Sequence, residues 1–166
     1  MAMKMNNLEA LFVDQLKDLY DAEHQLIDAL PKMANAAHSR DLKQGFEQHL
    51  NQTREQARRL EQIFSDLDEK PGGKKCVGMQ GLIKEGEELI KEKKADPDVI
   101  DAGLIAAAQK VEHYEISGYG TARTYAEMLG KNEAARLLQR TLEEESQTDE
   151  KLTQLAMSHI NVEAMS

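Results

Sequence analysis

Most residues of this chain strongly favour the α-helix. Ala, Leu, Glu, Lys, Gln, Met and Arg, which are strong helix formers, supply 98 of the 166 residues, whereas Val, Ile and Thr together supply 19. Apolar side chains also recur every three or four positions, which is the period of a helix with one buried face. The sequence therefore predicts an all-α fold.

The apolar pattern is interrupted at residues that commonly end or begin helices. Pro71–Gly73 breaks the chain near its middle. Asp96 followed by Pro97 restarts the pattern, because an acid at the N-cap and a proline in the first turn both favour a helix start. Gly130 then ends that helix. The predicted helices cover about residues 6–37, 39–68, 77–93, 97–129 and 132–160.

The lengths of the connections indicate how these helices pair. Only one or two residues separate the first helix from the second and the fourth from the fifth, so each pair forms an antiparallel hairpin. Nearly thirty residues join the two hairpins, which is enough to cross the length of a bundle. The sequence therefore predicts a single domain over residues 1–166. Its architecture is a ferritin-like four-helix bundle with a long crossover that carries a short extra helix.

The charge of the chain excludes some classes of function. With 30 Asp and Glu against 21 Lys and Arg, the formal net charge is −9, and this disfavours nucleic-acid binding, which needs Lys and Arg on phosphates. No stretch approaches the roughly 20 apolar residues that span a bilayer. Cys76 is the only cysteine, and the start from Met1 to Met5 lacks a secretory signal pattern. We therefore expect a cytoplasmic protein that binds neither nucleic acid nor membrane.

Polar side chains fall on the apolar faces of all four long helices. Glu23 lies four residues after Leu19 and three before Leu26, so the period that defines the buried face also includes its carboxylate. The other three long helices carry comparable residues, which are His49 and Gln52, Glu112 and Glu115, and Glu145 and Asp149.

Distances along the chain place these residues at similar heights in the bundle. From the first hairpin turn near residue 38, Glu23 lies 15 residues back and Gln52 lies 14 forward. From the second turn near residue 131, Glu115 lies 16 residues back and Glu145 lies 14 forward. At ~1.5 Å per residue the heights differ by about one to three ångströms. We therefore expect the acids to meet in the middle of the bundle.

Any single one of the 19 glutamates beside an apolar face is more often a boundary residue that reaches solvent. Recurrence on four helices favours a shared site, because grouped carboxylates in a dry interior repel one another unless divalent cations neutralise them. Oxygen-rich ligands with at most one or two imidazoles suit iron or manganese rather than structural zinc. The candidate metal ligands are Glu23, His49, Gln52, Glu112, Glu115, Glu145 and Asp149.

Several segments of the chain resemble the YciF-like stress-protein family of ferritin-like bundles. They are Tyr20–Leu26, Cys76–Met79, Ala106–Ile116, Tyr119–Thr121 and Leu142–Glu145, and the resemblance covers essentially the whole chain. It implies a rubrerythrin-like helical fold, a homodimer, a role in bacterial stress responses and a bound metal pair. The residues that match family acids are Glu23, Glu112, Glu115, Glu144 and Glu145, and His49 matches a family histidine.

Gln52 departs from the family pattern, which usually has an acid at this position. In addition, ferritin-like di-metal proteins carry Glu-x-x-His pairs on two helices, and no such pair occurs in this sequence. An amide ligates a metal more weakly than a carboxylate does. The sequence therefore leaves open whether one of two metal positions is weak or absent.

Two functions remain open from the sequence. The first is a stress protein that holds a di-iron or di-manganese pair and, if it is an enzyme, performs redox chemistry with oxygen or peroxide. The second is a homodimer without a cofactor that acts as a structural or protein-interaction module and keeps its interior acids protonated or hydrogen-bonded. No catalytic residue is identified. We interpret Cys76 as a reduced structural cysteine.

Overall fold

The structure, a computed structural model, describes residues 4–166. Residues 1–3, part of the segment in which no secretory signal pattern was found, lie outside the described residues. All regular secondary structure within residues 4–166 is helical and there is no strand among them, which confirms the all-α class. Its elements are α1 (Leu8–Ala36), α2 (Arg40–Asp66), α3 (Val77–Ile90), α4 (Pro97–Met128), α5 (Asn132–Leu155), a π-helical turn (Ala156–Ile160) and α6 (Asn161–Ala164).

The helices begin where side chains can satisfy free backbone N–H groups. Asn7 Oδ1 accepts a hydrogen bond from the Ala10 N–H at 2.8 Å, and Asp96 Oδ1 accepts one from the Asp98 N–H at 2.9 Å. The last predicted helix, over 132–160, differs from the structure because its α-helical part ends at Leu155 and the chain continues as the π-helical turn. None of the helices within residues 4–166 is long and apolar enough to cross a bilayer.

Four long helices pack around a shared interior. α1 packs along α2 and α4 along α5, while α1 also contacts α4, and α2 contacts α5. α3 lies in the crossover and packs against α4 and α1. The buried apolar residues form two clusters, one containing Leu26, Phe46, Val111 and Leu152, the other containing Leu19, Leu60, Tyr119 and Leu138.

Each long helix contributes to both apolar clusters, and its buried polar residues, apart from Asp101 at the start of α4, fall near the junction of the two contributions. On α1, for example, Glu23 lies between Leu19 of one cluster and Leu26 of the other. The interior is therefore divided into two apolar ends and a polar layer between them. Helical periodicity produces this layer, because all three residues lie on one face of α1.

Asp101 joins the start of α4 to the first hairpin. Its side chain is buried, and its two carboxylate oxygens accept hydrogen bonds from the backbone N–H groups of His38 at 2.7 Å and Ser39 at 2.6 Å. Charge-assisted hydrogen bonds of this kind are about twice as strong as neutral ones. Asp101 therefore fixes the turn between α1 and α2.

Cys76 anchors the beginning of α3 to the bundle. Its thiol is buried, with Sγ 3.0 Å from the Tyr114 hydroxyl and 3.3 Å from Asp18 Oδ2, and its backbone N–H donates to Asp21 Oδ2 at 2.7 Å. Burial raises the pKa of the Cys76 thiol, so the thiol form is favoured. These contacts support the interpretation of Cys76 as a structural residue.

Candidate metal centre

The polar layer brings together five of the seven residues that the sequence singled out as metal ligands. Each of the four long helices supplies at least one of them. The four glutamates have no solvent exposure, and His49 is 5% exposed. The five residues are Glu23 on α1, His49 on α2, Glu112 and Glu115 on α4, and Glu145 on α5.

The ligand atoms of these residues form two overlapping groups. His49, Glu112 and Glu145 each offer one atom within 4.8 Å of the other two, and so do Glu23, Glu115 and Glu145. Glu145 belongs to both groups. Each group could hold one divalent cation, and Glu145 would be a ligand in both.

Most of the ligand atoms have no hydrogen-bond partner within residues 4–166. With the carboxyl groups ionised, both side-chain oxygens of Glu112, Glu115 and Glu145 lack one, as do Glu23 Oε2 and His49 Nε2. A retained proton would allow Glu23 to pair with Glu115, and Glu112 with Glu145. His49 Nε2 lies 3.1 Å from Glu112 Oε1, within ion-pair distance but without hydrogen-bond geometry. Leaving buried polar atoms unpaired is costly. A cation bound among these atoms would offset that cost. The donor set contains four carboxylates and one imidazole, which fits iron or manganese.

Burial shifts the pKa values of the centre toward the neutral forms. It raises the pKa of Glu23 to about 8, with the charge of Glu145 as the next cause. It also raises the pKa values of Glu112 and Glu115 well above their usual range, and neighbouring carboxylates add to both shifts. Burial lowers the pKa of His49, so its imidazole is neutral and keeps a lone pair for a metal. Without a cation, the centre therefore retains protons at pH 7.

Four further buried residues belong to the polar layer or flank it, and the sequence did not assign them to it: Thr53, Gln56, Tyr119 and Thr141. The Tyr119 hydroxyl donates a hydrogen bond to Glu23 Oε1, and the Thr53 hydroxyl donates to the His49 carbonyl at 2.8 Å. Gln56 is fully buried, and its amide atoms have no partner within residues 4–166. Gln56 lies seven residues after His49, which is two helical turns along the same face. This spacing could have indicated that Gln56 is buried beside the centre.

The other two predicted ligands, Gln52 and Asp149, lie at the edge of the layer and belong to neither group. Gln52 Oε1 accepts a hydrogen bond from the Thr148 hydroxyl at 3.2 Å. Asp149 Oδ2 lies 3.0 Å from His113 Nε2, and Asp149 Oδ1 accepts from Gln109 Nε2 at 3.2 Å. Gln52 lies three residues after His49, and Asp149 lies four after Glu145. At about 100° per residue, such a step rotates the side chain about the helix axis by ~40–60°, which places both residues at the edge of the buried face.

Glu144, which the resemblance also matched to a family acid, points away from the centre. Its Oε2 accepts a hydrogen bond from Arg59 Nη2 at 3.0 Å, and Arg59 Nη1 donates to the Thr141 hydroxyl at 3.0 Å. The Arg59–Glu144 pair therefore joins α2 to α5 beside the buried layer.

Fold and centre together define an all-helical protein with a buried acidic layer, and comparison with known proteins identifies the family. The chain belongs to the family described as "Domain of unknown function (DUF892)", whose model matches residues 7–165. It is similar to protein YciF of Escherichia coli (strain K12), with 48% identity over 163 residues, 98% of each chain. The resemblance to YciF-like stress proteins that the sequence segments indicated is thereby confirmed.

Solved structures of relatives share the fold. The crystal structure of the Escherichia coli stress protein YciF matches with a TM-score of 0.90 at 48% identity and covers 95% of this chain and 99% of that chain. YcfI from Rhodopseudomonas palustris, which is proposed to be a structural protein, matches with a TM-score of 0.87 at 43% identity over 92% and 97% of the two chains. A protein from Xanthomonas campestris pv. campestris, at 19% identity and a TM-score of 0.74, shows the fold alone.

Proposed function

We propose that this protein is a ferritin-like four-helix bundle of the cytoplasm that serves in stress responses and holds a pair of iron or manganese ions. The observation that carries the proposal is the sharing of Glu145 between two groups of three ligand atoms. One cation would lie with His49 and Glu112, and the other with Glu23 and Glu115. Glu145 would contact both.

The charge of the centre supports two cations rather than one. Four ionised carboxylates carry four negative charges, and two divalent cations neutralise them while His49 remains neutral. Loading the centre displaces the protons that burial otherwise retains on Glu23, Glu112 and Glu115, because metal ligands must be deprotonated. Cation binding is therefore expected to release protons and to weaken as the pH falls.

The proposed role is redox chemistry in oxidative stress. When bound, an iron or manganese pair supplies one- and two-electron exchange with oxygen or peroxide. The chain positions and shields the ligands: the Tyr119 hydroxyl holds one oxygen of Glu23 in place, and the Thr53 hydroxyl binds the backbone beside His49. The two apolar clusters above and below the layer keep water from the carboxylates.

Elemental analysis of the purified protein tests this proposal. Protein loaded with Mn²⁺ and freed of excess ion is expected to retain up to two ions per chain, and the Glu145→Gln variant fewer than one. Glu150→Gln is the matched control, because Glu150 is an exposed glutamate of the same helix, and it should bind as the unmodified chain does. Absence of bound ion from the unmodified chain would contradict the proposal.

A second function is favoured by one relative, YcfI, which is proposed to be a structural protein. In this alternative the protein is a homodimer without a cofactor that acts as a structural or protein-interaction module. Its interior acids stay protonated, in line with the raised pKa values of Glu112 and Glu115. A Glu112→Gln, Glu115→Gln double variant would then be as stable as the unmodified chain at pH 7, or more stable, whether or not Mn²⁺ is present.

A further inference from the structure

A cleft between α2 and α5 reaches from the surface to the buried centre. Its volume is about 280 Å³. Asp41, Gly45 and Lys151 are exposed lining residues, whereas Leu42, Phe46 and His49 are buried and Gln52 is partly buried. The cleft therefore runs down the seam between the two hairpins and stops at a residue of the candidate metal centre.

His49 is the only residue of the centre that lines this cleft. The four glutamates line neither this cleft nor four further clefts on the surface of residues 4–166. They have no solvent exposure, whereas His49 retains 5%. The centre and the surface therefore meet at His49, and an ion that follows this cleft to the glutamates must pass its imidazole.

Side-chain contacts join α2 to α5 at one end of the cleft but not at the other. At the end near Gln52, the hydrogen bond from Thr148 to Gln52 and the pair of Arg59 and Glu144 join the two helices. At the end near Gly45 the space is free, since a Cβ built on Gly45 would have no neighbouring atom within 4 Å. A glycine weakens a helix interior, and no close contact at Gly45 requires one.

The cleft has room for a hydrated divalent cation, and its lining is mixed: Leu42, Phe46, Leu152 and Leu155 are apolar, Lys151 is cationic, and the other side chains are polar. At ~10–15 Å³ of cavity volume per water, six waters need about 60–90 Å³, so an ion with its first hydration shell fits within the volume. Asp41 supplies carboxylate oxygens, Gln52 an amide oxygen and Thr148 a hydroxyl, and hard cations exchange water for such oxygen atoms. The net charge of −9 also draws cations to the surface.

From this geometry we infer that the α2–α5 cleft is the port through which divalent cations reach the buried carboxylates, with His49 as the first side chain of the centre that they meet. The inference rests on the proposed metal function. In this inference, the open space at Gly45 is part of the path of the ion, although Gly45 does not belong to the metal centre. A side chain at Gly45 should therefore slow uptake of the ion without changing how many ions bind.

Stopped-flow absorption of Co²⁺ uptake tests the port. We expect Gly45→Leu to slow uptake at least tenfold while the stoichiometry at equilibrium stays that of the unmodified chain. Gly81→Leu is the matched control, because Gly81 is also an exposed helical glycine with no atom within 4 Å of its built Cβ, and it should leave the rate unchanged. Equal rates in the two variants and the unmodified chain would overturn the port.

A charge reversal provides a second test that leaves the volume of the cleft nearly unchanged. Lys151→Glu at the rim should speed Co²⁺ uptake several-fold at low ionic strength, and this gain should disappear at high salt. Lys70→Glu, at an exposed lysine outside the cleft, should have no such effect. An unchanged rate in Lys151→Glu would count against the port. No Co²⁺ bound by the unmodified chain at equilibrium would instead overturn the metal function and, with it, the port.

Discussion

His49 Nε2 lies 3.1 Å from Glu112 Oε1, and both side chains are buried. In water such a pair would ionise, but burial lowers the pKa of His49 and raises the pKa of Glu112. The interior therefore favours a neutral imidazole beside a protonated acid. Both atoms lack a hydrogen-bond partner within residues 4–166, and a cation between them would satisfy both while displacing the proton.

The two ligand groups should be separable by mutation. Glu112→Gln removes a ligand from the group that contains His49, while Glu23→Gln removes one from the group that contains Glu115. Because each variant keeps Glu145, we expect each to retain about one Mn²⁺ per chain by elemental analysis, against two for the unmodified chain. Loss of both ions in either single variant would contradict two separable positions.

The ion-free protein should lose stability as the pH rises. Glu23 has a pKa of about 8 in the folded chain, above the usual value of 4.5, so the folded state binds more protons than the unfolded state between these pH values. Its stabilising contribution is complete below about pH 4.5 and is lost as the pH rises through 8. The free energy of unfolding should fall by up to ~1.4 kcal/mol per pH unit for each such proton.

Chemical denaturation of chelator-treated protein between pH 5 and pH 8 measures this slope. The raised pKa values of Glu112 and Glu115 act in the same direction, while the lowered pKa of His49 acts in the opposite direction below its usual value of 6.5. Glu23→Gln should flatten the dependence, because an amide does not titrate. A stability that rises with pH over this interval would show that the buried acids are ionised in the folded chain without a cation.

Replacement of Asp101 should weaken the first hairpin. Asp101→Ala removes the acceptor of two backbone N–H groups, those of His38 and Ser39, and leaves them in a partly buried turn. Loss of such charge-assisted hydrogen bonds is expected to lower the free energy of unfolding by about 2–3 kcal/mol. Urea denaturation measures the change. Asp28→Ala, at an exposed position of α1, is the control and should stay within ~0.5 kcal/mol.

Two glycines of α3 should respond to alanine with opposite signs. At Gly78 an added Cβ would lie 2.6 Å from Tyr114 Cε2, so Gly78→Ala must displace the ring that binds Asp18 and Cys76. We expect a loss of ~1–3 kcal/mol. At Gly81 the space is open, and Gly81→Ala should add ~0.5–1 kcal/mol by helix propensity. Equal thermal stability of the two variants would refute the close packing of Tyr114.

Much of the architecture follows from local rules. Helix formers, caps and short turns act over a few residues, and the predicted helices begin within two residues of α1 to α5, although α5 ends five residues before the predicted helix does. The same period placed Glu23, Glu112 and Glu145 on buried faces. The π-helical turn after Leu155 was missed, because nothing in the α-helical apolar pattern of 132–160 distinguishes it.

The remaining features of the centre depend on contacts between distant segments. Gln52 and Asp149 lie at the height of the centre along the bundle, but their rotation about the helix axis places them at the edge of the buried face. There Gln52 contacts Thr148, and Asp149 contacts His113. Asp101 acts on a turn more than sixty residues away in sequence. Residue spacing determines height and face, whereas the partner that a side chain finds depends on how the hairpins pack.

Anomalous scattering from crystals of the protein soaked in Mn²⁺ would locate the bound ions themselves. We expect two peaks about 3.5–4 Å apart inside the bundle. One should lie beside His49 and Glu112, the other beside Glu23 and Glu115, with Glu145 in contact with both. An interior without peaks, in which these glutamates hydrogen-bond to one another, would contradict the metal centre and favour the structural module.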